Sequence, residues 1–178
     1  MSKNLTWLEK VRHCPSPNFD ARPPDTEIEL LVIHSISLPP NQFGGPFIEQ
    51  LFTNSLDKNA HPSFVDIVDL RVSAHLLIRR DGEIIQYVSL DKRAWHAGIS
   101  NFKGRNKCND FSIGIELEGC DNIPYTDIQY LKLTYITKIL QQNWPSLTQI
   151  VGHCDIAPER KTDPGPLFDW ERFKNPLR

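Results

Sequence analysis

The amino-acid sequence predicts one α/β domain spanning residues 1–178, with a mixed central β-sheet flanked by helices. Three observations point there. Two short apolar runs, Glu29–His34 and Gln149–His153, have the length and β-branched content of buried strands, and each ends in histidine. A hairpin signature is centred on Asp81-Gly82. A long amphipathic helix follows, opened by Thr126.

Taken in order, Glu29–His34 reads as a central strand whose polar last residue emerges at its carboxyl end. Pro46 suits a first helical position, so a short helix is expected from there to Leu56. The intervening Ser37–Gly45 segment fits a mobile lid and a static loop equally well. Ser73–Arg80 and Glu83–Ser89 flank Asp81-Gly82, the dipeptide of a type I′ hairpin turn. Phe111–Glu118 alternates: Phe111, Ile113, Ile115 and Leu117 fall on one side, Ser112, Gly114, Glu116 and Glu118 on the other. That is a strand with one polar face. Thr126 and Gln129 form a capping box, and Ile128, Leu131, Tyr135, Ile136, Ile139 and Leu140 repeat at helical spacing until Trp144-Pro145 stops them. If the Gln149–His153 strand is parallel to the first, both histidines reach one sheet edge, where open α/β sheets bind ligands. A last short helix is expected around Asp169–Phe173, and fourteen prolines punctuate the loops between these elements.

With 178 residues, 39% of them hydrophobic, the chain can bury one core without disulfide staples. A net charge of -2 gives no long-range attraction to nucleic acid or anionic lipid, so neither is an expected partner, and a monomer acting on a small molecule is. Cys14, Cys108, Cys120 and Cys154 show no close pairing and read as reduced thiols. No secretory signal is visible in Met1–Lys10 and no stretch approaches membrane-spanning length, which makes the cytoplasm the expected address.

The densest chemistry lies in Gly152–Pro166, where a strand-end histidine enters a proline-stiffened loop. His153 and Asp163, joined by His34, would offer two imidazole nitrogens and one carboxylate oxygen, the pattern of a catalytic zinc with an open position, in a surface groove. Taken singly, each is as readily a capped strand-end histidine or a turn aspartate. Lys161, two residues before Asp163, is either a solvated loop lysine or a cation able to stabilise the oxyanion formed when water attacks a carbonyl. Glu116 stands beside Gly114, whose missing side chain leaves room for a ligand or metal, and is a candidate general base. Burial would raise its pKa and a metal would lower it. Periodicity alone does not separate it from Glu118, read as an outward-facing strand glutamate. His75 reads as a packed hairpin residue. In Ala94-Trp-His-Ala-Gly98, Trp95 and His96 suit a sugar-binding wall, and Trp95 equally suits the core.

These motifs resemble the amidase-2 family of N-acetylmuramoyl-L-alanine amidases, which includes the peptidoglycan recognition proteins, and within it the AmpD-type anhydro-muropeptide amidases of cell-wall recycling. The resemblance runs from Val11–Asp20 through Val32-Ile-His34, Arg71–His75, Ala94–Gly98 and Cys108–Gly119 to the loop ending at Pro166. It implies that His34, His153 and Asp163 bind zinc, that Glu116 and not Glu118 is the base, and that Lys161 steadies the oxyanion. It further implies that Arg71 and the Gly104–Lys107 loop hold stem-peptide carboxylates while Trp95 and His96 line the site. Two positions depart from the family's habit: Ser35 stands where asparagine is common, and Lys107, a point charge, where arginine's bidentate fork is common. A recognition module that had lost its ligands and a secreted wall-lytic enzyme are the rival readings.

Overall fold

The computed structural model describes residues 5–177, so the part of the leader-free reading that falls on residues 1–4 lies outside the described residues. Six strands form the central sheet: β1 (Arg12–His13), β2 (Leu30–Ile36), β3 (Leu76–Ile78), β4 (Ile84–Gln86), β5 (Ser112–Glu118) and β6 (Gln149–Gly152). Their spatial order is β1-β4-β3-β5-β2-β6. Only the β3–β4 hairpin is antiparallel; every other neighbouring pair is parallel, so the sheet is mixed as expected. Two-residue ribbons pair Phe19–Asp20 with Arg93–Ala94 and Asn101–Phe102 with Arg105–Asn106.

Both faces of the sheet are covered, which explains why β2 is apolar almost throughout. On one face, Leu31, Ile33, Ile113 and Ile115 pack against helix α2 (Asp127–Asn143) through Leu133, Ile136 and Leu140. Each fully buried aliphatic side chain of this kind stabilises by about 1.5–3 kcal/mol. The capping box at Thr126 forms, and Gln129 then donates from its amide to Ile78 O at 3.2 Å and Glu118 O at 2.9 Å, tying the helix to the sheet. On the other face, Leu77 and Ile85 meet helix α1 (Phe47–Phe52), while Leu30 and Val32 meet Phe111 and Ile156 of the single-turn helix α3 (His153–Ile156). Helix α4 (Trp170–Lys174), capped by the Asp169 side chain, closes the first face with Phe173. All four cysteines are free thiols. Among the described residues, no helix is long and apolar enough to cross a membrane.

Several elements differ from the sequence expectation. The hairpin turn is not type I′, because Asp81 keeps a negative φ and only Gly82 is left-handed, at φ 86°. Gly82 N donates to Arg79 O and Arg79 N to Glu83 O, so three residues close the loop and the glycine takes the bulge position. Strand β2 runs two residues past His34, which therefore lies within the ladder and not at its end. The buried stripe of α2 is Gln129, Tyr130, Leu133, Ile136, Thr137 and Leu140. Leu131 and Tyr135, assigned to it from spacing, are exposed. Helix α1 stops at Phe52 instead of reaching Leu56.

Candidate metal centre and active-site cleft

Register builds the site. In the parallel β2–β5 pair, Val32 is level with Gly114 and His34 with Glu116, so His34 and Glu116 stand side by side on one face of the sheet. Strand β6 pairs Gly152 with Ile33, which delivers His153 beside His34 as α3 begins. The loop after α3 then doubles back: Cys154 N donates to Asp163 O at 3.0 Å, and the Tyr125 hydroxyl donates to Pro164 O at 2.7 Å. Asp163 is thereby brought to the two histidines.

His34 Nδ1 lies 3.0 Å from His153 Nδ1 and 3.3 Å from Asp163 Oδ2, and His153 Nδ1 lies 3.1 Å from the same oxygen. These three residues form the metal-capable cluster found among the described residues. A tetrahedral zinc with bonds of about 2.0–2.2 Å sets its ligand atoms roughly 3.3–3.6 Å apart, so the triangle needs only slight expansion to accept one. The donor chemistry fits as well. His153 Nε2 lies 3.1 Å from Ala97 O, and since a carbonyl only accepts, a neutral ring carries its hydrogen on Nε2 and turns the Nδ1 lone pair toward the position a metal would take. Acceptors converging on one point favour a cation between them. Without one, burial pulls the His34 pKa down to about 4, partly opposed by Asp163, while the two histidines hold the Asp163 carboxyl well below the usual range against its own burial.

Glu116 is 9% exposed, and its Oε2 is buried without a hydrogen-bond partner. Burial, aided by nearby Asp163 and opposed by Lys161, pushes its pKa well above the ordinary carboxylate value. An orphaned carboxylate beside a metal-capable triangle is placed to handle a proton. Both open onto a cleft of about 200 Å³, with Lys161 on its polar side and Leu70, Val72 and Trp95 on its apolar side. Lys161 and Asp163 also border a wider depression of about 680 Å³ that runs past Ser35, Asn41 and Asp121.

The remaining expected site residues fall differently. Trp95 lines the cleft, half-buried and pinned by Ser73, whose backbone N donates to Trp95 O and whose hydroxyl accepts from Trp95 N. His96 also borders the cleft, 9% exposed, with its Nδ1 2.9 Å from His34 Nε2, so it touches the cleft from behind His34. That ring also fills the space above Gly114, correcting the expectation that this glycine leaves room for a ligand or metal: a Cβ there would come within 2.5 Å of His96 Nδ1. Glu118 is not an outward-facing residue. It is 2% exposed, accepts from Gly44 N at 2.7 Å and Arg80 N at 3.1 Å, and faces Arg79 at 3.6 Å, which pins the end of the Ser37–Gly45 loop. Arg71 and Lys107 are exposed and line neither depression. Arg105, from the same loop as Lys107, is engaged by Glu29 and stacks on Phe111. His75 is fully buried, accepts from Gly114 N at 3.0 Å and donates to Lys92 O at 2.9 Å, as expected of a packed residue. Sequence reading missed Arg22, whose half-buried guanidinium donates to four backbone carbonyls, including Asn109 O and Ser112 O. No spacing rule marks such a residue.

A family model described as N-acetylmuramoyl-L-alanine amidase matches residues 24–166. The chain is 60% identical over 169 residues to the 1,6-anhydro-N-acetylmuramyl-L-alanine amidase AmpD of Escherichia coli K12, covering 94% of this chain and 92% of that protein. Its fold matches a crystal structure of a selenomethionine AmpD derivative at TM-score 0.95 and 59% identity, covering 98% of both chains. A second match, at TM-score 0.58 and 28% identity, is the E. coli amidase AmiD in complex with anhydro-N-acetylmuramic acid-L-Ala-D-γ-Glu-L-Lys, covering 95% of this chain and 60% of that one.

Proposed function

Because the chain belongs to the N-acetylmuramoyl-L-alanine amidase family, we propose that it is a zinc enzyme that hydrolyses the amide between N-acetylmuramic acid and the L-alanine of a stem peptide. Its substrates in this reading are soluble 1,6-anhydro-muropeptides, processed by a cytoplasmic monomer during peptidoglycan recycling. The observation that carries the chemistry is the 3.0–3.3 Å triangle of His34, His153 and Asp163 next to the unpartnered Glu116 carboxylate. The anhydro-sugar preference is supported by the names of the AmpD relatives, at 60% identity.

His34 Nδ1, His153 Nδ1 and one Asp163 oxygen would hold the zinc, leaving a fourth position open. When bound, zinc supplies Lewis acidity toward the scissile carbonyl and lowers the pKa of water from roughly 15.7 toward about 7. Glu116, whose buried carboxylate has no competing donor, takes the proton from the attacking water and returns it to the departing alanine nitrogen. Lys161, on the cleft wall, faces the charge that develops on the carbonyl oxygen. Trp95, with Leu70 and Val72, presents an apolar wall to the sugar. Arg71 and Lys107, both exposed, are assigned to the peptide carboxylates.

Mass spectrometry of muropeptides incubated with the protein tests this reading. Anhydro-muramoyl tripeptide should yield free tripeptide, faster than the reducing-end muramoyl tripeptide or purified sacculi, and a chelator should stop it. Equal rates on all three substrates would replace the recycling assignment with general wall lysis. Activity that survives chelation with no metal detected by elemental analysis would remove zinc.

A further inference from the structure

Three residues that the proposed chemistry leaves unused, His96 and Ala97 from one motif and Asn109 from another, meet behind the metal triangle. Each ligand histidine is tethered on its far nitrogen by one of two adjacent residues. His34 Nε2 lies 2.9 Å from His96 Nδ1, and His153 Nε2 donates to Ala97 O at 3.1 Å. The dipeptide is in turn held by one atom: Asn109 Oδ1 accepts from His96 N at 3.2 Å and from Ala97 N at 2.8 Å. Asn109 is itself fixed, since its own backbone carbonyl accepts from Arg22 Nη1 at 3.0 Å. Arg160 adds a second donor to Ala97 O at 2.8 Å.

We propose that Asn109 is a positioning residue which, by fixing the His96–Ala97 backbone through a single amide oxygen, makes both histidines present Nδ1 to the metal. The proposal rests on the zinc reading above. Binding through Nδ1 requires the hydrogen of each ring to sit on Nε2. His34 then donates to His96 Nδ1, and the His96 hydrogen, on Nε2, points to Ser112 Oγ at 3.2 Å. His153 donates to Ala97 O. Outer partners of this kind set ligand tautomer and ring angle, and their loss typically weakens metal binding by about 10–100-fold. Here one amide serves both rings, so its removal should loosen two of three ligands together. Asn109 touches neither metal ligand, and its action is entirely through the dipeptide.

The test uses the whole zinc-loaded protein. Zinc affinity is measured by competition with a chelating dye for the wild type, Asn109→Ala and Asn109→Asp, and ¹⁵N-histidine spectra report which ring nitrogen carries hydrogen. Asn109→Ala should bind zinc about 10–100-fold more weakly, and Asn109→Asp, which keeps an oxygen acceptor, should restore most of the loss. A purely structural role for Asn109 would not produce that selective rescue. In the wild type both Hε2 protons should be present and slow to exchange with solvent. Unchanged affinity in Asn109→Ala, an equal loss in Asn109→Asp, or zinc on Nε2 of either ring would each overturn the proposal. If Asn109→Ala does not fold, the wild-type spectrum and Asn109→Asp still decide it. A wild-type protein that binds no zinc would overturn the zinc reading itself, whereas tight zinc binding indifferent to residue 109 would overturn only this inference.

Discussion

Gly114→Ala probes how closely the ligand set is packed. The new Cβ would lie 2.5 Å from His96 Nδ1, where ordinary contact begins at 3.4 Å, so the ring must shift by nearly an ångström. It has nowhere easy to go, because His96 is 9% exposed and bonded on its Nδ1 side to His34 at 2.9 Å and on its Nε2 side to Ser112 at 3.2 Å. Overpacking of a filled interior costs about 1–3 kcal/mol. Replacing a strand glycine by alanine returns roughly 0.5–1 kcal/mol of backbone entropy. The balance is a net loss of up to about 2.5 kcal/mol, or a Tm lower by up to roughly 10 °C for a domain of this size. Displacing the ring also spoils its alignment with His34 Nε2, which should weaken zinc binding by about tenfold or more. Denaturant unfolding of chelator-treated protein isolates the packing cost, and dye competition reads the metal. A variant as stable as the wild type with unchanged zinc affinity would refute the claim that His96 fills this space.

Glu116→Gln should lower kcat by about a hundredfold or more with zinc retained, since it removes proton transfer alone; steady-state kinetics with elemental analysis checks both halves. Glu118→Gln should do the reverse, costing about 1–3 kcal/mol in denaturant unfolding while kcat stays near wild type, because that carboxylate anchors Gly44, Arg80 and Arg79 outside the cleft. Lys161→Ala should reduce kcat with zinc retained, and a change confined to KM would make it a ground-state contact. Burial lowers the His75 pKa to about 3, so below about 6.5 the unfolded chain takes up a proton that the folded one refuses. Stability present above that value is therefore lost as pH falls toward 3, by about 2 kcal/mol at roughly pH 5. Unfolding midpoints of His75→Asn should show a correspondingly smaller acid dependence.

Local pattern located the strands that carry His34 and Glu116 and the one that leads into His153, which opens α3 instead of ending the strand, since alternation and apolar run length are decided by neighbours in sequence. It also brought Asp163 to them through the loop that ends at Pro166. What it lacked was knowledge of the opposite surface. Glu116 and Glu118 share a strand face and differ only in what lies above them, a cleft in one case and the Gly44 and Arg80 amides in the other. Gly114 announces an empty position but not that an imidazole from residue 96 enters it. The α2 stripe was misplaced at Leu131 and Tyr135 because polar Gln129 and Thr137 lie on the buried side, Gln129 bonding to sheet carbonyls. The Asp81-Gly82 turn was misassigned because the same dipeptide serves two-residue and three-residue loops.

The pairing of His34 with Glu116 across β2 and β5 has one more consequence. Their backbones are held apart by the spacing of hydrogen-bonded strands, about 4.8 Å, a length that no side-chain replacement alters. Side chains alternate between faces, so inserting or deleting a single residue within either strand would send one of the two to the far side of the sheet. Divergence around this centre is therefore confined to substitutions and to loops beyond the strand ends. Insertions and deletions can reshape what the cleft receives, while the distance between the backbones of residues 34 and 116 passes unchanged from one descendant to the next.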